Sequence, residues 1–413
     1  MMNNFNFLYI KKTYALIALS LLVVKGYSQT STKATDQFSR IGLNPITTSV
    51  PFLLIAPESR GGAMGDAGVA SSPDASSMHW NASKLAFIEK KSGISVAYTP
   101  WLKTLVPDIN LGYLSGFYKL SSKGTIGGSL RYFSLGKIDF TDQNGASLGS
   151  RTPNELAVDL GYAHKLGKKF SGAFSLRYVY SNLTQGVDAS TKPANAVAAD
   201  LSAYYRTDVK LGKNKGQWAS GINISNLGTK VRYTDSGKQN FIPMNLKLGT
   251  SLSIDIDDYN KITFMVDLNK LLVPTLPEYV KKTSGGDSTL SDGTTKIIAH
   301  GMDPNVSVAQ AVFQSFYDAP GGAMEELTEI NISAGMEYVY DKQFALRAGY
   351  FYENPNKGNR QYFTMGAGLK YSIFNLDFSY LVSMLRNNPL DNTLRFTLSF
   401  NFDDIKAAEE KSE

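Results

Sequence analysis

The sequence predicts an all-β protein: a 14-stranded antiparallel transmembrane β-barrel with an N-terminal hatch segment in its lumen. Three observations carry that prediction. From Ser92 onward, apolar and polar residues alternate, and a period of two sends successive side chains to opposite faces of a strand. The alternating segments run to about ten residues, the length a tilted strand needs to cross about 30 Å of hydrocarbon. The links between them are short and long in turn, as in barrels with tight turns on one rim and longer loops on the other.

Composition agrees. Only 19% of the 413 residues are charged, against about 25% in an ordinary soluble domain. The chain carries 23 Tyr, 22 Phe, 3 Trp and 36 Gly, yet its mean hydropathy is −0.18. Strand alternation reconciles rings with polarity, because each class keeps to its own face. So apolar a chain is not intrinsically disordered. With no cysteine it can form neither a disulfide scaffold, a thiol nucleophile nor a thiolate metal site. The formal charge of +6 is spread without a basic block, which argues against nucleic acid as a partner.

Residues 1–28 read as a secretory signal peptide. Lys11 and Lys12 precede an apolar stretch from Ala15 to Val24, and Gly26 and Ser28 stand at −3 and −1 of a cleavage site. That stretch is too short to span a bilayer as a helix, and no later run approaches the roughly 20 residues a helix needs. Cleavage after Ser28 would remove three lysines and lower the formal charge from +6 to +3. A closed barrel is the remaining structure that satisfies every backbone group in lipid.

The barrel is expected over residues 92–402, with strands near 92–99, 108–119, 124–134, 154–165, 170–182, 196–210, 217–226, 243–255, 260–272, 329–340, 343–353, 361–371, 375–383 and 392–402. An even strand count puts both chain ends on the short-turn, periplasmic side. Charges fall on the polar face in mid-strand: Asp159, Arg177, Lys247, Asp267, Glu337, Arg347, Lys370, Asp377 and Arg395. They suit a wet or plugged lumen and would sit badly in a β-sandwich core. Tyr98, Tyr132, Tyr162, Tyr180, Tyr340, Tyr352 and Tyr371 near strand ends fit an interfacial girdle.

Two segments do not alternate. Residues 29–91 contain Arg60-Gly61-Gly62-Ala-Met-Gly65-Asp66-Ala-Gly68, with Asp74 and Trp80-Asn81 following. The clustered glycines permit tight turns and close backbone approach, and Asp74 or Ser72 could cap a short helix. The segment is small for a domain, and packing in the lumen as a hatch would pair it with the inward charges. The second exception is the outer loop 273–328. Asp303-Pro304 reads as a helix start. Val306, Ala309, Phe313, Phe316 and Tyr317 would then share one helical stripe, with Pro320-Gly-Gly as the stop. That helix could lie across the barrel mouth or bind a partner. Trp101, Leu102, Leu105 and Val106 in the first long loop would add to a partner surface. The tail 403–413 reads as a solvated periplasmic end.

The Arg60–Ala75 run, followed by Trp80-Asn81-Ala82 and then fourteen alternating segments, resembles the PorV/LptO family of the type IX secretion system, within the wider FadL-like barrels. The resemblance implies an integral outer-membrane protein without enzymatic activity or cofactor. It also implies binding of the C-terminal signal domains of secreted cargo as they leave a giant SprA/Sov-like translocon barrel. Cargo would then pass to a surface attachment complex holding a PorU-like sortase with PorQ and PorZ, amid membrane lipids and LPS. FadL-like fatty-acid transporters carry Asn-Pro-Ala in the hatch where this chain has Asn81-Ala82-Ser83. Transport of a hydrophobic small molecule is the alternative.

Catalytic signals are weak. Gly145-Ala-Ser147-Leu-Gly149 fits a nucleophile elbow only in a strand–turn–helix, and here it follows a turn cluster in a long loop. His79, His164 and His300 are scattered over hatch, strand and loop, which argues against a metal site. His79 beside Trp80 is expected to be a hydrogen-bonded hatch residue.

Overall fold

The computed structural model describes residues 43–103, 106, 108–142, 144–183, 191–235, 237–282, 286–290, 296–385 and 388–402. The signal peptide, Leu105 and the tail 403–413 lie outside the described residues.

Fourteen strands close into one antiparallel barrel. They are Ser92–Pro100, Ile109–Lys119, Gly124–Leu135, Asn154–Lys165, Phe170–Asn182, Ala194–Leu211, Asn214–Gly228, Asn245–Asp255, Asn260–Leu271, Asn331–Tyr340, Phe344–Tyr352, Gln361–Tyr371, Phe374–Ser383 and Thr393–Asn401. Each lies within a few residues of its expected position. The first and last strands close the wall, in register from Gly93 opposite Asn401 to Tyr98 opposite Phe396. Two short outer hairpins escape the period-two reading: Ile138–Thr141 with Ser147–Arg151, and Glu278–Tyr279 with Ile298–His300.

Alternation decides which way each side chain points. In the strand Asn154–Lys165, Val158, Leu160 and Tyr162 are exposed on the outer wall while Ala157, Asp159 and Ala163 are buried inside. In the last strand Phe396 and Leu398 face out, and Arg395 and Thr397 face in. The exposed rings form the lipid-facing band that a membrane-spanning barrel needs.

The lumen is filled by the N-terminal segment, which bonds to strands on all sides. Arg131 donates to the Phe52 and Leu53 carbonyls at 3.1 and 2.7 Å. The Ser59 amide donates to Thr397 Oγ1 (2.9 Å) and the Gly65 amide to Thr364 Oγ1 (2.8 Å). Asp267 Oδ2 accepts from the Gly68 and Val69 amides at 2.7 and 2.9 Å. Asn81 donates to the Ala203 carbonyl at 3.0 Å, and Ser171 to that of Ser83 at 2.8 Å. The segment runs from the long-loop rim, where the Asn44 amide meets the Asn356 carbonyl, to the short-turn rim, where Lys119 meets the Ile88 carbonyl. Its outer half packs apolar side chains (Val50, Phe52 and Leu53) on Leu111, Phe133, Ala157, Val179 and Ala196.

Below that core the packing is ionic. Arg60 Nη1 meets Asp74 at 2.9 Å and Arg60 Nη2 meets Glu337 at 2.9 Å. Arg347 Nε reaches Glu337 at 2.7 Å and Arg347 Nη1 reaches Asp377 at 2.6 Å. A second cluster joins Arg177 to Asp159, Asp200 and Asn226. Asp200 also accepts from the Asn226 amide at 2.8 Å, where Asn226 takes φ 61. This contact pins the register shift between Ala199 and Leu201. Such charges persist in a low-dielectric interior because each is paired.

Two expectations about helices need correction. The hatch helix Ser77–Trp80 starts from Ser76 with no side-chain cap; Asp74 instead holds Arg60. In the outer loop the helix is Val308–Gln314, capped by the Ser307 hydroxyl on the Gln310 amide. Asp303 accepts from the Asn305 amide and so makes a turn, not a helix start. Pro320-Gly321-Gly322 does not end that helix. It leads into a second one, Ala323–Thr328, with Gly322 at its N-cap and φ 69.

Candidate functional site

The outer mouth is organised by a buried charge cluster that fixes the loop 273–328 to the wall. Lys270, at the end of its strand, donates to Glu326 Oε2 (2.9 Å) and Glu329 Oε2 (2.6 Å). Lys357, from the loop before Gln361–Tyr371, bonds Glu325 and reaches Glu329 Oε1 at 3.0 Å. Thr275 adds a 2.6 Å bond to Glu329 Oε1, and Asn44 one of 3.2 Å to Glu325. Wall, hatch and two outer loops meet there. Three carboxylates against two ammonium groups are tolerated because hydrogen bonds from Thr275, Asn44 and backbone amides share the excess. Asp318, buried beside them and facing Glu326 and Glu329, has its carboxyl pushed up to about 6, chiefly by burial.

Anchored on one side, the loop leaves its other side uncovered. Ala311 and Gln314 are buried toward the barrel, whereas Phe313, Phe316 and Tyr317 are 71%, 48% and 61% exposed. Ala309 is exposed, and Val306 is half-buried ahead of the helix. Of the predicted stripe only Ala309 and Phe313 lie in the helix, with Phe316 and Tyr317 in the turn after it. The helix itself packs at the mouth through Val308, Ala311 and Val312 on Phe241, Met244 and Leu272, while Phe313, Phe316 and Tyr317 point away. Met324 and Leu327 on the second helix are exposed as well, at 46% and 63%. These two were missed by sequence reasoning, which took Pro320 as a stop and sought no helix beyond it. In the first long loop, Trp101 packs against the Val50–Phe52 core. Leu102, at φ 51, and Val106 are half-buried, their backbones joined by a 3.0 Å bond.

Below the loops an outer cavity of about 340 Å³ opens. Ile46, Pro51, Leu54 and Trp101 give it an apolar wall, and Glu353, Lys357 and Arg360 a charged one.

The hatch motif is explained by packing around Trp80. The indole Nε1 donates to Glu58 Oε1 at 2.8 Å. Gly61 and Gly68 lie flush on the ring: a Cβ on either would come within 2.4 Å of it. Gly62 stands against Arg395, and Gly65, at φ +70, against the Tyr350 backbone. Asp66 takes the Tyr362 hydroxyl at 2.6 Å. Asn81 caps the next turn through the Ser83 amide at 3.1 Å. His79 is hydrogen-bonded as expected, with Nδ1 2.7 Å from Arg131 Nη2. Among the described residues no group of His, Asp and Glu gathers as a metal site. Ser147 opens the exposed strand of an outer hairpin.

A family model described as "Type IX secretion system protein PorV" matches residues 38–278, more than half of the chain. The chain belongs to the PorV family. This PorV-family barrel is thus an outer-membrane component of the type IX secretion system, associated with its machinery, and the family is one of non-enzymatic secretion components. No curated protein matches the sequence. Among solved structures, the chain is similar to the Pseudomonas putida toluene transporter TodX, at 12% identity and TM-score 0.43, over 87% of this chain and 98% of that one. It is similar to the Ralstonia pickettii toluene transporter TbuX, at 10% and 0.43 over 83% and 97%. A Pseudomonas aeruginosa FadL homologue follows at 10% and 0.38 over 84% and 99%.

Proposed function

We propose that this PorV-family barrel is a membrane-anchored cargo shuttle. It takes the C-terminal signal domains of secreted proteins as they leave the translocon barrel and carries them to an attachment complex with a PorU-like sortase, PorQ and PorZ. The observation that carries this reading is the exposed aromatic face Phe313, Phe316 and Tyr317, with Met324 and Leu327 exposed on the next helix, on a loop whose other face is held by buried ion pairs. Exposed apolar side chains gathered on one loop with a fixed support mark a protein-binding surface. The first-loop residues Trp101, Leu102, Leu105 and Val106 are proposed as its second border.

The test is copurification from envelope membranes. The wild-type chain is expected to recover translocon and cargo C-terminal domains, and Phe313→Glu with Phe316→Glu to lose cargo while staying folded. Unchanged cargo recovery by the double variant would refute the assignment.

The outer cavity, with an apolar wall facing a charged one, favours a second reading: transport of a small hydrophobic or amphiphilic molecule. A lipid copurifying in stoichiometric amount, with normal protein secretion in a deletion strain, would favour it over the shuttle.

A further inference from the structure

Two cavities enter the lumen from opposite rims, the outer one part apolar and part charged, and stop within one side chain of each other. The outer cavity narrows past Asp66, Asn331, Arg360 and Tyr362 into a deeper chamber of about 60 Å³, which shares those four residues and also Leu54, Ala56 and Leu271 with it. Asn245, Lys247 and Asn269 line the chamber and Trp80 forms part of its wall. At about 30 Å³ per water molecule it holds a water or two, and Asn269 Oδ1 has no partner within the protein. From the other rim a vestibule of about 370 Å³ rises between Lys342, Lys370 and Asn401 to Glu58, Arg60 and Ser72. Between chamber and vestibule stands the pair already described: Trp80 borders the one, Glu58 the other, and a single 2.8 Å bond joins them.

We infer that the barrel is a closed pore and not a solid plug: the Trp80 indole is the seal between two aqueous cavities, and its displacement opens a path for ions and small polar solutes. The indole is built in as a seal would be. It fills a slot between Gly61 and Gly68 that no side chain could share, and the Lys247 ammonium lies 4.8 Å over its ring. Trp80 is 2% exposed and Glu58 2% exposed, so the closed state leaves no gap at the pair. The vestibule side of the indole is lined mainly by charged and hydroxyl side chains, and the chamber side is mixed, with Leu54, Ala56, Leu271 and Phe351 beside Asn245, Lys247 and Asn269. Removing it would join the cavities without breaking a strand. This inference concerns the lumen and stands apart from the cargo reading, which concerns the outer loops.

The experiment is planar-bilayer recording on the purified full-length chain. The wild type is expected to be electrically silent and Trp80→Ala to show discrete current steps. Trp80→Phe, which keeps a ring in the glycine slot, should pass far less current than Trp80→Ala. Because the native chain has no cysteine, Ser72→Cys in the Trp80→Ala background tests the route. Modification by a charged methanethiosulfonate should cut the current, while the same reagent leaves Trp80→Ala alone unaffected. A folded Trp80→Ala barrel (heat-modifiable on gels) that stays silent would overturn the inference, as would current insensitive to the block at position 72. Should Trp80→Ala not fold, Ser72→Cys and Asn269→Cys in the otherwise native chain decide the premise. Both should react with the small reagent in the folded protein, and failure of either to react removes the aqueous cavity on its side.

Discussion

The hatch and the outer loop 273–328 are both inserts into a barrel, both fixed by buried ion pairs, yet they end differently. The hatch is tied on every side: amides, carbonyls and side chains from Ser59 to Ser83 find partners on strands right around the wall. The loop is tied on one side through Lys270 and Lys357, and its other side presents Phe313, Phe316, Tyr317 and Leu327 to the surroundings. A segment with all its surfaces satisfied serves the barrel. One fixed but left uncovered serves something outside it.

The comparison can be broken first where the hatch is tightest. Arg60→Ala leaves Asp74 without its cation and strips one of two from Glu337. Breaking a buried pair this way should destabilise the folded barrel by about 3 kcal/mol, read as an earlier loss of heat-modifiable gel mobility. Next comes the loop anchor. Lys357→Met leaves Glu325, Glu326 and Glu329 with Lys270 alone, at about 2 kcal/mol. External protease should then cut the loop while the barrel stays intact.

A smaller effect follows from Asp318. Its carboxyl, pushed up to about 6 by burial, binds a proton more tightly folded than unfolded. The stabilisation is complete below the ordinary aspartate value of about 3.9 and is lost as the pH rises through about 6. Loop resistance to protease should therefore be greater at mildly acidic pH than at neutral pH, and Asp318→Asn should flatten the difference. Smallest of all on stability are Phe313→Ser, expected within about 0.5 kcal/mol because the ring is 71% exposed, and Phe316→Ser, a little larger because about half of that residue is covered. Their effect belongs to binding, so a large fall in thermal stability would mean that the face is packed after all.

The sequence made the wall legible and the inserts only partly so. Period two is a long-range, repeated signal: Leu394, Phe396 and Leu398 against Arg395 and Thr397 announce both a strand and its inner face. The inner charges were readable too, and Glu337, Arg347 and Asp377 meet as a lumen cluster. Loop helices are set by single bonds. Asp303 and Ser307 are both plausible caps, and only the contact from Ser307 to the Gln310 amide decides between them. The Glu325-Glu326 and Glu329 cluster was a visible hint of an anchor, but its cations, Lys270 and Lys357, lie far away in sequence. The spacing of Gly61, Gly68 and Trp80 acquires meaning only once the turns between them stack the glycines on the ring.

The central claim is that cargo docks on the uncovered loop face, and site-specific photocrosslinking tests it most directly. A benzophenone amino acid would replace Phe313 in living cells, with Leu148 on the other outer hairpin, 43% exposed, as the control position. The account predicts a cargo C-terminal-domain adduct at 313 and none at 148. Equal crosslinking at the two positions, or none at 313 while secretion proceeds, would contradict it.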